Sequence, residues 1–99
     1  MKLRLIENLD LEREISPGIV ESGHWSFTLQ QAQEMIGFLI RLHRHQDDPP
    51  RLAGVITGVR ISEAPNFQDR VIFLIRTEDL DPNDLPNADP WNRWWKIEA

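Results

Sequence analysis

The order of the elements within residues 23–76 constrains the fold of this chain more than any other feature of its sequence. A Gly-His-Trp turn precedes a short helix, and a glycine then opens an apolar strand over residues 38–43. After a polar loop come two strands rich in β-branched residues, over residues 52–61 and 70–76. This order predicts an α+β domain, built as a small, curved, mostly antiparallel β-barrel with one helix plugging it.

The helix carries the clearest local signals. Thr28 and Gln31 form a Thr-x-x-Gln capping box, and Gly37 is placed to cap the carboxyl end. In the strand over residues 52–61, Gly54 and Gly58 lie where a strand would bend or bulge. Nearer the amino terminus, residues 1–6 read as an opening strand, residues 7–14 as a polar helical turn or a loop, and residues 19–20 are too short to assign.

The carboxyl-terminal part has a different composition. Residues 77–89 are acidic and rich in proline, which predicts an irregular connector on the surface. An aromatic segment follows, and its Asp89-Pro90 start is typical of a helix. A closing strand over residues 94–97 fits the same segment, so both alternatives stay open.

Length and composition bound the classes of protein that are expected. With 99 residues there is room for one domain, over residues 1–99, and dimerisation to a homodimer would add burial to so small a core. The chain has no cysteine and hence no disulfide. No signal-peptide core and no apolar run of membrane-spanning length occurs, so we expect a cytoplasmic protein without a membrane partner.

The charge distribution argues against a partner held mainly by its phosphates. The net charge is −5, whereas such affinity comes from lysine and arginine displacing counterions. Arginine nevertheless supplies nine of the eleven positive charges, and residues 41–76 hold six arginines against four carboxylates. A local basic face is therefore expected within an acidic protein.

The sequence resembles the PUA-like superfamily, and within it the EVE, YTH and ASCH branches. The resemblance is carried by Gly-His-Trp-Ser-Phe at residues 23–27, by residues 36–43, by Ala-Gly-Val-Ile-Thr-Gly-Val-Arg at residues 53–60, and by residues 70–76. It implies a curved barrel whose open end, beside the helix, binds a nucleobase, including modified or flipped bases. The ASCH basic signature, a Gly-x-Lys segment followed by an arginine, is missing, so ASCH-type hydrolysis is not expected.

The predicted ligand site is a base-binding cleft at the barrel mouth, which makes the chain a nucleic-acid or modified-nucleobase recognition module. Trp25 matches the tryptophan near the first turn of these families and would stack on a base, although a core position closing the barrel is the alternative. Arg41, His43 and Arg60 would supply contacts to a phosphate or a base edge, with His24 beside them.

A different class of function is the main alternative. Trp91, Trp94 and Trp95 fall within five residues, and exposed together they would form a protein-binding patch. With the carboxylates of residues 78–89 they would let a small acidic protein inhibit or regulate a protein partner. Sealing of the core by the same tryptophans is the competing structural interpretation.

No catalytic or cofactor motif accompanies these candidates. The sequence has no Ser-His-Asp arrangement, phosphate loop or cysteine cluster, so any catalysis would need a site assembled in three dimensions. His43 and His45 supply at most half of a metal site, which leaves a metal-dependent hydrolase as the weakest alternative. No metal and no cofactor is predicted.

Overall fold

The computed structural model describes residues 1–8 and 12–99, which form a sheet-rich domain with one short α-helix. The helix is α1 (Leu29–Glu34), and Pro65–Phe67 forms a 3-10 turn. The strands in chain order are β1 (Lys2–Ile6), β2 (Arg13–Ser16), β3 (Ile19–Trp25), β4 (Leu39–His43), β5 (Leu52–Ile61), β6 (Val71–Glu78) and β7 (Trp95–Glu98).

The described strands make one seven-stranded sheet in the order β2-β3-β6-β5-β4-β1-β7. The β1–β4 pair is parallel and every other pair is antiparallel. Strands β2 and β7 lie at the two edges, so the sheet is open. The prediction of a mostly antiparallel α+β domain is confirmed, whereas closure into a barrel is not observed.

The apolar core lies between the sheet and α1. Three of the five residues in each of β1 and β4 are buried, together with four of the eight residues of β6. The buried residues of β1 are consecutive, Leu3, Arg4 and Leu5, so both faces of this strand are covered. Ala32 and Met35 carry the buried stripe of α1. The fully buried apolar side chains are Leu3, Leu5, Ala32, Ile40, Leu42, Ile56, Val71, Phe73 and Ile75.

The predicted capping box of α1 is confirmed. Gln31 N donates to Thr28 Oγ1 at 3.1 Å, and Thr28 N donates to Gln31 Oε1 at 2.9 Å. The helix ends earlier than expected, because Met35 rather than Gly37 is the carboxyl cap. Gly37 instead takes a φ of 94° and turns the chain into β4.

The two glycines of β5 have different surroundings. The strand does bulge, through a register shift between Ile56 and Gly58 against β6. At Gly54 the backbones approach so closely that a Cβ would lie 2.5 Å from Ile75 Cγ2 and would also collide with the carbonyl oxygen of Arg76. At Gly58 the nearest atom is Leu74 Cβ at 3.6 Å.

Two predictions near the amino terminus are wrong. Gly23, His24 and Trp25 lie in β3 rather than in a turn, because β3 extends along β6 to Trp25. Residues 13–16 form β2, where a helical turn or a loop was predicted, since the turn at Pro17-Gly18 folds them back onto β3. Residues 9–11 of that prediction lie outside the described part of the chain.

The aromatic carboxyl-terminal segment forms a strand rather than a helix. β7 pairs antiparallel with β1, with Lys2 opposite Glu98 and Leu5 opposite Trp95. Of the connector predicted over residues 77–89, residues 79–89 contain no helix and no named strand, whereas Thr77 and Glu78 extend β6. Among the described residues, no helix has the length and apolar character needed to cross a membrane.

Candidate functional site

A cavity of about 650 Å³ opens beside β3 and is the main candidate for a ligand site. Its size is within the range of small-molecule sites. One part of its wall is aromatic and comes from His24, Trp25 and Phe67. The other part is charged and comes from Glu7, Arg13, Glu21 and Arg60.

A bulge in β3 places two neighbouring residues on this wall. Successive side chains of a regular strand point to opposite faces, so His24 and Trp25 would normally diverge. The register shift between Ser22 and Trp25 interrupts this alternation. Both side chains therefore line the same cavity.

The side chains of the aromatic wall are held in place by hydrogen bonds and ring stacking with their neighbours. The Trp25 side chain is 7 % exposed, and its Nε1 donates to Ser22 Oγ at 3.0 Å. Its indole stacks on Trp94, with ring centroids 5.4 Å apart. The His24 ring stacks on Phe67 at 4.5 Å and 9°. Trp25 is thus a core residue that also forms part of the cavity wall, and its stacking on a base stays a prediction.

His24 carries an unsatisfied polar atom in this wall. Its Nδ1 is the one buried side-chain nitrogen or oxygen within residues 1–8 and 12–99 that has no hydrogen-bond partner. Buried polar atoms without partners are rare in native proteins because desolvating them costs about 1–3 kcal/mol. The His24 ring lines the cavity, but this nitrogen has almost no exposed surface, so a ligand could bond to it only after the ring turns.

The charged wall is arranged around Glu21. Arg60 Nε donates to Glu21 Oε2 at 2.8 Å, and Arg13 is the cross-strand neighbour of Glu21. Glu7 is buried and forms an ion pair with Arg51. Arg51 also binds Glu12, and this hydrogen bond holds the pKa of Glu12 below its ordinary value.

Arg41, which was predicted to contact the ligand, belongs to a separate cluster. The Arg4 cluster consists of Lys2, Arg4, Arg41, His43, Asp84 and Glu98. Arg41 Nε donates to Asp84 Oδ2 at 2.5 Å. Arg4, 1 % exposed, donates to Asp84 at 2.7 Å and to Glu98 at 2.8 Å. Burial alone would raise the pKa of Asp84, but hydrogen bonds from Lys2, Arg41 and Arg4 hold it well below its ordinary range.

His43 is fully buried in the Arg4 cluster instead of facing the cavity. Its ring nitrogens contact the carbonyl oxygen of Asp48 at 2.9 Å and Arg4 Nη1 at 3.3 Å. Arginine can only donate, so Nε2 is the acceptor and Nδ1 carries the proton in the neutral ring. Burial lowers the pKa of His43.

His45 is exposed, and the described residues contain no cluster of three or more His, Asp or Glu that could hold a metal ion.

The tryptophans of the carboxyl-terminal segment point inward. Trp94 and Trp95 pack against the core, with Phe27 5.4 Å and 5.5 Å from their ring centroids. Trp91 is half-buried and meets the His43 ring edge-on at 5.6 Å. This arrangement corresponds to the core-sealing interpretation of these residues.

The structure thus brings together His24, Trp25 and Arg60 of the predicted ligand residues. It adds Phe67 and Arg13, which the sequence interpretation did not select. Phe67 follows Pro65-Asn66, a pair typical of a turn, and an aromatic residue in a turn is the signal that was available. Arg13 gave no signal, because its strand was not predicted.

No known protein family matches this chain, and neither does any curated protein or solved structure. The function therefore has to be inferred from the chemistry of the cavity and its walls.

Proposed function

We propose that this chain is a PUA-like recognition domain that binds a nucleobase, modified or unmodified, in the cavity beside His24. The observation that carries the proposal is the unpartnered Nδ1 of His24 within an aromatic wall. A nucleobase combines the two properties that such a wall selects, a flat apolar face and an edge of hydrogen-bonding groups.

The aromatic wall supports stacking of a planar ring. Base–aromatic stacking contributes about 1–3 kcal/mol per base in single-strand binders. The Trp25 indole is held by Ser22 and Trp94, so little side-chain freedom would be lost when a ring packs against it. The base edge would bond to His24 Nδ1 once the imidazole turns this atom toward the cavity.

The fold assignment within the proposal is supported by the order of the elements. A tryptophan-bearing strand, β3, leads into the single described α-helix, and β4, β5 and β6 follow as an antiparallel meander. The cavity lies at the end of β3, where the resemblance to the PUA-like superfamily places its base-binding residue.

The net charge of −5 is compatible with this function because the base, rather than a row of phosphates, would provide most of the affinity. Each phosphate contact on a single strand contributes about −0.7 to the slope of log K against log salt. We expect the slope here to correspond to one or two phosphates.

The test is a fluorescence titration with the four ribonucleosides and short single-stranded oligonucleotides of RNA and DNA, with and without modified bases. Trp25 lies in the cavity wall, so binding should quench tryptophan emission saturably. His24→Phe keeps a ring to stack on Phe67 but removes Nδ1, and should weaken binding about tenfold. His45→Phe, in an exposed loop, is the matched control and should bind as the unaltered chain does.

Unchanged emission across the whole panel, confirmed by calorimetry, would contradict the proposal. It would favour the alternative in which the protein regulates a protein partner. For that function the accessible acidic groups of the segment are the exposed carboxylates Glu78, Asp79, Asp81 and Asp89.

A further inference from the structure

We infer that the ligand of this cavity carries a phosphate next to its base, and that Arg13 and Arg60 bind this phosphate. The inference depends on the proposed function, because it specifies the ligand class as a nucleotide rather than a free nucleobase or nucleoside. It is carried by the position, exposure and bonding of the two arginines.

The sheet places the two arginines on one wall. Arg13 on β2 is directly opposite Glu21 on β3, and directly opposed residues of an antiparallel pair project from the same face. Arg60 on β5 reaches across β6 to the same carboxylate, with Nε 2.8 Å from Glu21 Oε2. Glu21 is thus bonded to Arg60 and lies opposite Arg13 in the sheet, and both arginines line the cavity.

The charge that this wall presents to a ligand is positive. The Arg60 side chain is 51 % exposed and that of Glu21 only 16 %. Arg13 is exposed and has no ion pair within the described part of the chain. Glu7, the other acid of the wall, is buried against Arg51. The accessible groups are therefore two cations, while the acids lie behind them.

The available donors suit a phosphate. Glu21 engages Arg60 through Nε, and the terminal amino groups of Arg60 have no further partner among the described residues. Planar guanidinium groups bind phosphate oxygens through paired, charge-assisted hydrogen bonds. Since the aromatic and the cationic wall belong to one cavity, one ligand with a ring and a phosphate can occupy both.

The experiment compares the four ribonucleosides with their 5′-monophosphates by titration calorimetry at fixed ionic strength, with inorganic phosphate alone as a further probe. We expect at least one monophosphate to bind about five- to tenfold more tightly than its nucleoside. Arg13→Gln should remove most of this preference, measured as the ratio of the monophosphate affinity to the nucleoside affinity of the same variant. Arg76→Gln, an exposed arginine of β6 outside the cavity wall, is the matched control.

The outcomes separate this inference from the proposed function. Equal binding of nucleoside and monophosphate, or an unchanged preference in folded Arg13→Gln, overturns the phosphate site and leaves the base site standing. Absence of binding by every probe overturns both. If a dinucleotide binds as tightly as the monophosphate, the inference is supported and the bound phosphate is a phosphodiester within a strand. If the monophosphate binds clearly more tightly than the dinucleotide, the inference is supported and the bound phosphate belongs to a free nucleotide or to a strand end.

Discussion

At the scale of single residues, Arg4 shows how an acidic chain holds its carboxyl-terminal segment. Arg4 is the largest fully buried side chain among the described residues. It donates to the carboxylates of Asp84 and Glu98 and to the carbonyl oxygens of Asp84 and Leu85. A buried charge is tolerated when its partners satisfy it in this way, and such a cluster then selects one path for the segment that supplies them.

His43 makes the stability of this cluster dependent on pH. Protonation would add a cation beside Arg4, with Asp84 and Glu98 the acids of the cluster that oppose it. The pKa of His43 is lowered on folding, so below about pH 6.5 the unfolded chain binds more protons than the folded one. We expect the free energy of unfolding to fall as the pH is lowered from 7.5 to 5.5, and His43→Gln to flatten this dependence. Urea denaturation at both pH values measures it.

His45 provides the control for this experiment, since it lies two residues away and is exposed. His45→Gln should leave the pH dependence as it is in the unaltered chain. An equal pH dependence in His43→Gln would show that another group is responsible. The acids Asp84, Glu98 and Glu12, whose pKa values are lowered, contribute stability that is lost only at more acidic pH.

At this scale the sequence named three of the residues that line the cavity, His24, Trp25 and Arg60. Trp25 was named through the resemblance to the PUA-like superfamily, although its strand was predicted as a turn. Arg41 and His43 were grouped with these residues, but their partners lie in the segment around Asp84 and at Arg4. Strand alternation predicts which face a side chain occupies, and it contains no information about which distant segment covers that face.

At the scale of elements, the close packing of β5 on β6 depends on Gly54. A side chain there would overlap the backbone at Arg76 and the Ile75 side chain. We expect Gly54→Ala to reduce the free energy of unfolding by about 1–3 kcal/mol, as overpacked sites do. Thermal and urea denaturation of the variant measure this loss.

Gly58→Ala is the matched control, because the added methyl would meet Leu74 at an ordinary contact distance of 3.6 Å. Gly58→Ala should change the free energy of unfolding less than Gly54→Ala does. Replacing glycine by alanine also reduces the conformational entropy of the unfolded chain, which favours the folded state. Equal losses in the two variants would refute the role assigned to the close approach at Gly54.

The elements that the sequence predicted well are those with a local signal. Strands β1, β4, β5 and β6 have apolar patterns of their own, and α1 has its capping box. Strands β2 and β7 are short, lie at the sheet edges and contain charged residues, so their structure depends on the neighbours β3 and β1. The bulge in β3 was read as a turn because a glycine within a strand gives the same signal.

At the scale of the whole molecule, the last residues complete the core. β7 pairs with β1, and Trp94 and Trp95 pack against Trp25 and Phe27. We expect a chain lacking residues 90–99 to lose its cooperative unfolding transition, because the core loses two aromatic side chains and Arg4 loses Glu98. Circular dichroism during heating, with near-ultraviolet spectra for tertiary packing, tests this expectation.

A chain lacking only Ala99, which is exposed, is the control for the deletion and should unfold as the full chain does. If the chain without residues 90–99 kept a sharp transition, β7 would be an accessory strand. The carboxyl-terminal tryptophans would then be available to a partner, as in the alternative function.

The pairing of β7 with β1 also makes the domain a candidate for circular permutation. Lys2 lies opposite Glu98, so both ends of the described chain meet at one edge of the sheet. A short Gly-Ser linker could join residues 1 and 99 without disturbing a strand, and new ends could be opened in the exposed loop at residues 44–47. The cavity wall includes Ile6 and Glu7 at the end of β1 that lies away from the linker, and the rest of the wall lies on other elements. A permuted domain could therefore be inserted into a host protein with its recognition surface intact.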